Sequence, residues 1–431
     1  MKISLCIDYG LHASSLTLVT QKLFLELAKK MNKEKKFIVA ATMQASAGIG
    51  DVNQHYDCVS VPNMGGYNFP NKTVLSSKNS FIGIVGIDEV VLGPKVFRSN
   101  ALWKRNKPLI EEQVSKWKNQ SHLVPHIHTS TISDKEQLIE YFNIPETKIN
   151  VIPYGVDHEQ FKPPENKEST RKKICRACFL KDTPYFVHVS ERNWARKNTL
   201  GLFEAFRRAK SNGLPHYLLV IGKNDQVVWE EAQKIPGIIM CGYVPEEKMV
   251  NIIQGSDALL FPSFHEGFGL PLVESMACGV PAITSNIFSP PEIVKDGGLL
   301  VDPQNISDIT EKIMLFANNK KLQEDLSQNA LNRSQDFSWS LTAEKMLSYF
   351  KDNIETELDT DFESDYDQAA FRTITSICQV HPDLKISANN DLLEFDYSRI
   401  IKWALEVGFE DPYVGDYLIP LKTWLEQKDE Q

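Results

Sequence analysis

Residues 265–286 constrain the fold more than any other stretch of this chain. They read His265-Glu266-Gly267-Phe268-Gly269-Leu270-Pro271-Leu-Val-Glu274-Ser-Met-Ala-Cys278-Gly-Val-Pro-Ala-Ile-Thr-Ser-Asn286. Asp257-Ala-Leu-Leu-Phe-Pro-Ser263 before them and Val280-Pro-Ala-Ile-Thr-Ser285 within them are short apolar runs of the kind that form buried strands. The unit is therefore strand, glycine loop, helix, strand, which builds a parallel sheet. Gly267 and Gly269 have no Cβ and permit positive φ, so their neighbours' N–H groups can approach a ligand closely. Pro271 stands where a helix begins, since its missing N–H would be unpaired there anyway. The free N–H groups and dipole of that helix start suit a phosphate. Glu266 lies in the loop and Glu274 about one turn inside the helix. Carboxylates repel phosphate, so both are expected to accept hydrogen bonds from hydroxyls on either side of it. A sugar, a diphosphate and a ribose, in that order, fit such a site. The bland alternative is a surface loop joining a strand to a helix with no ligand at all.

The same alternation of strands and helices runs along most of the chain. Strands are expected at Ile3–Ile7, Phe37–Ala41, Phe81–Val85, Tyr185–Val189, Tyr217–Gly222 and Gly237–Met240, with His128 in a further strand within Leu123–Ile132 and an amphipathic helix over Leu16–Met31. Ligands in such sheets sit at the carboxyl ends of the strands, and the loops 190–198, 222–225 and 265–270 all lie there. At 431 residues the chain is too long for one core and suits two or three domains. The expected divisions are 1–163, 164–335, a closing helix over 336–354, and an appendix over 355–431. That appendix holds 18 acidic and 6 basic residues, which leaves 38 acidic and 41 basic residues in the body. A slightly basic body suits a polyanionic ligand and gives no sign of nucleic-acid binding. Glu355 to Asp367 reads as a solvated linker, and Tyr397–Val407 and Tyr417–Leu425 carry apolar residues at helical spacing. The appendix is thus a helical module for a protein partner, or a tail packed on its own body.

No run of roughly 18 uncharged apolar residues occurs, so no membrane span is expected. The first residues look like a strand, not a signal peptide, and seven cysteines in such a chain point to a reducing, cytoplasmic setting. Cys175 and Cys178 form the one CxxC; without a second pair they read as free thiols on a helix, and Cys278 as a small core residue. Phe97–Pro108 and Val114–Lys118 mix Trp103 and Trp117 with Lys and Arg, which suits either peripheral contact with a membrane face or, preferably, an ordinary solvated helix.

The 265–286 segment resembles the Glu-x7-Glu signature of family-4 retaining glycosyltransferases. Other stretches are similar to that family in the expected order: Ile152-Pro-Tyr-Gly-Val-Asp-His-Glu-Gln-Phe161, Arg192-Asn-Trp-Ala-Arg-Lys197-Asn198, Cys241-Gly-Tyr-Val-Pro-Glu-Glu247, Pro291 to Pro303, and Asp336-Phe-Ser-Trp339. The resemblance covers about 126–350. It implies a GT-B fold: α/β, with two Rossmann-like parallel-sheet domains facing across a cleft. The N-terminal one would bind the acceptor and the C-terminal one the nucleotide-sugar, with the mostly helical acidic appendix added.

The resemblance also implies roles. The reaction would be transfer of a hexosyl group, mannosyl favoured, from a GDP- or UDP-sugar to a hydroxyl of a glycan, glycolipid or small molecule, with retention. Arg192 and Lys197 would neutralise the leaving diphosphate, and Glu266 would hold sugar hydroxyls. Glu274 would bind the ribose. The N–H groups of Gly267, Phe268, Gly269 and Leu270 would cradle the diphosphate, with Gly10 facing it from the other domain. Tyr243 and Val244 would border the base. Neither a metal nor another cofactor is implied. Arg196 is expected to point to solvent. The family carries a histidine near the donor sugar in its N-terminal domain; the candidates here are His122, His126 and His128, with His128 taken. Gly83–Asn119 contains none, and Glu191 stands where a small residue is usual. A sugar phosphorylase or an epimerase would need a cofactor lysine or its own acid–base set, for which nothing speaks. The competing reading is a weakly catalytic or non-catalytic scaffold acting through the appendix.

Overall fold

A computed structural model describes residues 2–7, 38–43, 58–61, 67–70, 79–97, 99–181, 183–190, 194–222 and 225–354, with a few single positions between 19 and 75. Gly10, Arg192, the 223–224 loop and the whole appendix from Glu355 onward lie outside the described residues.

Among the described residues, twelve strands form two six-stranded sheets, and every strand pairs with its neighbours in parallel. The first contains β1 (Lys2–Ile7), β2 (Ile38–Met43), β3 (Cys58–Val61), β4 (Ser80–Gly83), β5 (His126–Thr129) and β6 (Ile149–Val151), in the order β2-β1-β3-β4-β5-β6. The second contains β7 (Tyr185–Val189), β8 (Tyr217–Ile221), β9 (Ile238–Gly242), β10 (Leu259–Phe261), β11 (Ala282–Ser285) and β12 (Gly298–Val301), in the order β12-β11-β10-β7-β8-β9. This is the GT-B architecture, two doubly wound α/β units. β7 and β10 are buried at every position, as strands covered by helices on both faces must be. Of the helix expected over Leu16–Met31, Val19, Lys22, Leu23, Glu26 and Leu27 are described and helical. Val19, Leu23 and Leu27 share one face at four-residue spacing, and all three are buried.

The second sheet carries the arrangement that matters for function. Strand order reverses between β7 and β10, so the loops leaving their carboxyl ends part to opposite sides and open a crevice. The loop after β7 carries Lys197, and the loop after β10 carries Glu266.

The chain crosses back near its described end. Helix Trp339–Asn353 leaves the second unit and packs on the first: Tyr349 donates its hydroxyl to Ile127 O at 3.1 Å, and Phe350 meets Phe81 edge-on at 4.7 Å. Thr342 Oγ1 also donates to Pro153 O at 2.8 Å. At this crossing Val156 bridges to Ser338, and Gly155 lies against the Ser338–Trp339 peptide. A Cβ at 155 would fall inside that peptide, which is backbone and cannot turn away. Gly155→Ala is therefore expected to destabilise by about 3 kcal/mol or more, toward the upper end of overpacking costs. A denaturant midpoint equal to that of the unaltered protein would contradict this.

Some expectations need correction. Helix Leu270–Ala277 starts one residue before Pro271, with Gly269 as its N-cap in the left-handed region at φ 88°. Trp117 is not a solvated or membrane-facing residue. It is fully buried in helix Asn100–Gln120, donates Nε1–H to Tyr67 O and Asn68 O at 3.1 Å, and stacks on Phe142. Cys175 is a free, buried thiol within helix Lys167–Ala177, while Cys178 lies just past its end.

Candidate active site

Lys197 reaches the crevice because the turn after β7 is held from below. His188, in the middle of β7, bonds through its ring nitrogens to Leu260 O at 2.8 Å and Thr199 Oγ1 at 3.0 Å. Ser190 shares the same threonine hydroxyl at 2.9 Å. These buried groups tie β7, β10 and the first residue of helix Thr199–Ser211 together. Asn198 turns the chain in the left-handed region at φ 53°, a conformation Asn tolerates better than most residues, and its side chain donates to Pro303 O at 2.7 Å. Lys197 is thereby aimed inward, with only 5% of its surface exposed.

Inside the crevice Lys197 Nζ meets Glu266 Oε1 at 2.8 Å and lies 4.3 Å from the centre of the Phe261 ring. Arg196 does not point to solvent. Its Nη1 donates at 2.9 Å both to Glu266 Oε2 and to His265 O, and its Nε lies 3.5 Å from Asp88 Oδ2. Burial alone would raise the Glu266 carboxyl, but the Arg196 and Lys197 cations outweigh it and hold the group at about 2. A fully ionised carboxylate is thus kept inside the protein with one cation on each oxygen. Lys197, expected to face a phosphate, and Glu266, expected to face sugar hydroxyls, are bonded to each other.

The loop 265–269 is also where the two units touch. Thr131 Oγ1 donates to Gly267 O at 3.1 Å, and His265 Nε2 is 2.7 Å from Gln137 Oε1. Burial holds the His265 imidazole down at about 4, so it is neutral at pH 7 and its Nε2–H donates to that amide oxygen. A Cβ at Gly267 would come within 2.7 Å of Gly86 N, so the absent side chain is what lets the loop close on β4's outgoing turn. Glu292 accepts from Ile132 N–H at 2.9 Å and Ser133 N–H at 3.3 Å, placing a carboxylate at the positive start of helix Ile132–Phe142 across the same junction. From below, Ser289 Oγ donates to Glu266 O at 2.9 Å.

The other expected residues are distributed as follows. Glu274 is the fifth of the eight residues of helix Leu270–Ala277, about one turn from its start, and is 8% exposed. Phe268 is a core residue whose ring packs on Tyr154 and Phe337, so its side chain is not available to a ligand. Tyr243 and Val244 follow β9, with Tyr243 68% exposed. His128 ends up at the carboxyl end of β5, 3% exposed, with its ring 6.5 Å from Tyr349. Burial pushes the His128 imidazole down to about 4, and the contacts recorded for His128 do not join it to the Lys197–Glu266 cluster.

Sequence reasoning missed Asp88, Gln137 and Thr131. None belongs to a spaced motif, and only the folding of the first unit against the loop brings them to the site. Glu292 was visible as part of the Pro291–Pro303 stretch, but not as a link between units.

Residues 171–333 match the family model of glycosyl transferases group 1. The O-antigen chain mannosyltransferase B of Escherichia coli is 32% identical over 163 residues, 36% of this chain and 43% of that protein. A UDP-Gal:alpha-D-GlcNAc-diphosphoundecaprenol alpha-1,3-galactosyltransferase of the same organism is 29% identical over 210 residues, 46% of this chain and 53% of that protein. The chain therefore spans about half, or less, of the length of these relatives. Among solved structures, a sucrose-phosphate synthase from Thermosynechococcus elongatus aligns with a TM-score of 0.63 at 16% identity, covering 82% of this chain and 98% of that one. The Anabaena protein HepE, crystallised with UDP-glucose, aligns with a TM-score of 0.62 at 14% identity, covering 82% and 100%.

Proposed function

We propose that this chain, whose residues 171–333 match the group 1 glycosyl transferases, moves a hexosyl group from a nucleoside-diphosphate sugar to an acceptor hydroxyl, with retention. The observation that carries the proposal is the buried Lys197–Glu266–Arg196 cluster beside the free N-terminus of helix Leu270–Ala277. No side chain caps that start, and two cations are bonded to Glu266 in the loop before it. The leaving diphosphate gains charge as the glycosidic bond breaks, and fixed positive groups lower that barrier. In the step, the bond from the anomeric carbon to the diphosphate oxygen breaks and a bond to the acceptor oxygen forms on the same face. The acceptor proton passes to the departing diphosphate. Lys197 turns from Glu266 to the diphosphate, and Glu266 takes sugar hydroxyls in its place. Glu274 holds the ribose. Arg192 and Gly10 are assigned to the diphosphate by resemblance alone. No metal has a part in this scheme.

Mannose is favoured as the sugar because of the E. coli mannosyltransferase, although the galactosyltransferase among the relatives and the UDP-glucose bound to HepE keep UDP-sugars in the test. The first unit, carrying β4 and β5, faces the sugar end and is assigned the acceptor, a glycan or lipid-linked sugar. No described helix is long and apolar enough to cross a membrane.

Incubation with a panel of GDP- and UDP-sugars and glycan acceptors tests the proposal. Release of the nucleoside diphosphate with one donor is expected; nucleotide binding without turnover of any donor would favour the scaffold reading. Glu274→Ala is expected to weaken nucleoside diphosphate binding by about 1–3 kcal/mol, the scale of hydrogen bonds to a charged group. Equal affinity by calorimetry would remove Glu274 from the ribose site.

A further inference from the structure

We infer that Asp88, in the first unit, is a positioning residue for the reaction proposed above: through Arg196 it fixes the orientation of Glu266 when the two units close. The inference rests on that functional reading for its consequence, and on distances alone for the contact.

Asp88 is the residue that follows the β4 turn Ile84–Ile87, opening the short helix Asp88–Leu92. It is far in sequence from the second unit, yet its Oδ2 lies 3.5 Å from Arg196 Nε, and both side chains are less than one-fifth exposed. Arg196 is held on its other side by Glu266 Oε2 and by His265 O, each at 2.9 Å from Nη1. One planar guanidinium therefore spans two carboxylates, one from each unit. Such a fork holds its partners in a fixed geometry that a lysine could not impose. The contact does not stand alone. Gly86, two residues before Asp88, is the backbone against which Gly267 closes, so the turn that carries Asp88 is pressed onto the loop that carries Glu266.

The two oxygens of Glu266 then have different fates. Oε1 is bonded to Lys197, which an arriving diphosphate draws away, and it becomes free to accept from the sugar. Oε2 remains on Arg196, and Arg196 remains on Asp88. The carboxylate can thus exchange one partner without rotating. Without Asp88, Arg196 keeps its bond to Glu266 but loses its ion pair with Asp88, and Glu266 is aimed at the sugar only loosely. A nucleoside diphosphate lacking the sugar does not use this anchor; only the sugar-transfer step does.

The test is Asp88→Asn, with Asp88→Glu as the conservative variant, read three ways. Calorimetry with GDP and UDP alone should give affinity within roughly twofold of the unaltered protein, while kcat for the nucleotide-sugar falls roughly tenfold or more and Asp88→Glu recovers part of it. Amide hydrogen exchange over the 265–269 loop should be faster in Asp88→Asn than in the unaltered protein, because one of the contacts that hold this loop to the first unit is lost. Unchanged kcat would overturn the inference, as would a loss of nucleoside diphosphate affinity equal to the loss of turnover, which would mark a merely structural residue. If the unaltered protein turns over no donor, the functional proposal fails by itself; the Asp88–Arg196 contact is then decided by hydrogen exchange, and an unchanged rate over 265–269 for Asp88→Asn overturns it.

Discussion

Lys197→Ala should abolish most sugar transfer while leaving the protein folded. Removing one fixed group that stabilises charge in a transition state typically costs about 10²–10³ in turnover. Lys197 should reach that range because it is buried and pre-aimed. Its backbone is held by the left-handed turn at Asn198, and its ammonium is bonded to Glu266, in the loop that leads into helix Leu270–Ala277. Burial also removes competing water, which strengthens its field at a diphosphate. Stability should suffer less than turnover. Arg196 still neutralises Glu266 through Oε2, so the carboxylate is not left alone. A turnover within threefold of the unaltered protein would show that Lys197 only balances Glu266. Steady-state kinetics with the preferred donor, beside thermal unfolding, separates the two outcomes.

Glu266→Gln is the second large effect, and it acts on both stability and activity. The amide keeps the shape but removes the negative charge that faces both Lys197 and Arg196. Breaking a buried ion pair from one side commonly costs about 3–5 kcal/mol. Arg196 retains Asp88 and His265 O, which places this variant toward the lower end of that range. The sign of the pH dependence distinguishes this cause from a packing defect. A carboxyl held at about 2, against an ordinary 4.5, contributes stability that is present above 4.5 and lost as pH falls toward 2. The difference in stability between Glu266→Gln and the unaltered protein should therefore shrink through that window. A constant difference from pH 7 to pH 2 would mean that the ion pairs do not matter. Turnover should fall by at least the factor expected for Lys197→Ala, since the sugar loses the acceptor that orients it.

The two effects also show which parts of the site a sequence can reveal. The loop and helix that carry Glu266, Gly267, Gly269 and Glu274 were legible because local chemistry dictates where the loop ends and the helix starts. The α/β fold was legible from alternating apolar runs, and β7, β8 and β10 fall within the ranges expected. Strands β3, β6 and β12 were not foreseen: they are short like β10 but lack its unbroken buried apolar run, with Ser60 inside β3, Asn150 at the exposed centre of β6 and Gly298 opening β12. Arg196 was misjudged for a different reason. Arginine beside lysine at a loop tip reads as surface, and only the approach of Asp88 and the Glu266 carboxylate makes its burial favourable. His128 was placed in its strand correctly, but pattern alone could not say that its ring would turn into the packing beside Tyr349.

The separate duties given to Glu266 and Glu274 depend on where a donor lies, and a crystal structure with GDP or UDP tests that most directly. The account predicts the diphosphate against the N–H groups of Phe268, Gly269 and Leu270, the ribose hydroxyls on Glu274, and Lys197 Nζ moved from Glu266 to a phosphate oxygen. A nucleotide bound elsewhere, or bound here with the Lys197–Glu266 pair intact at 2.8 Å, would contradict it.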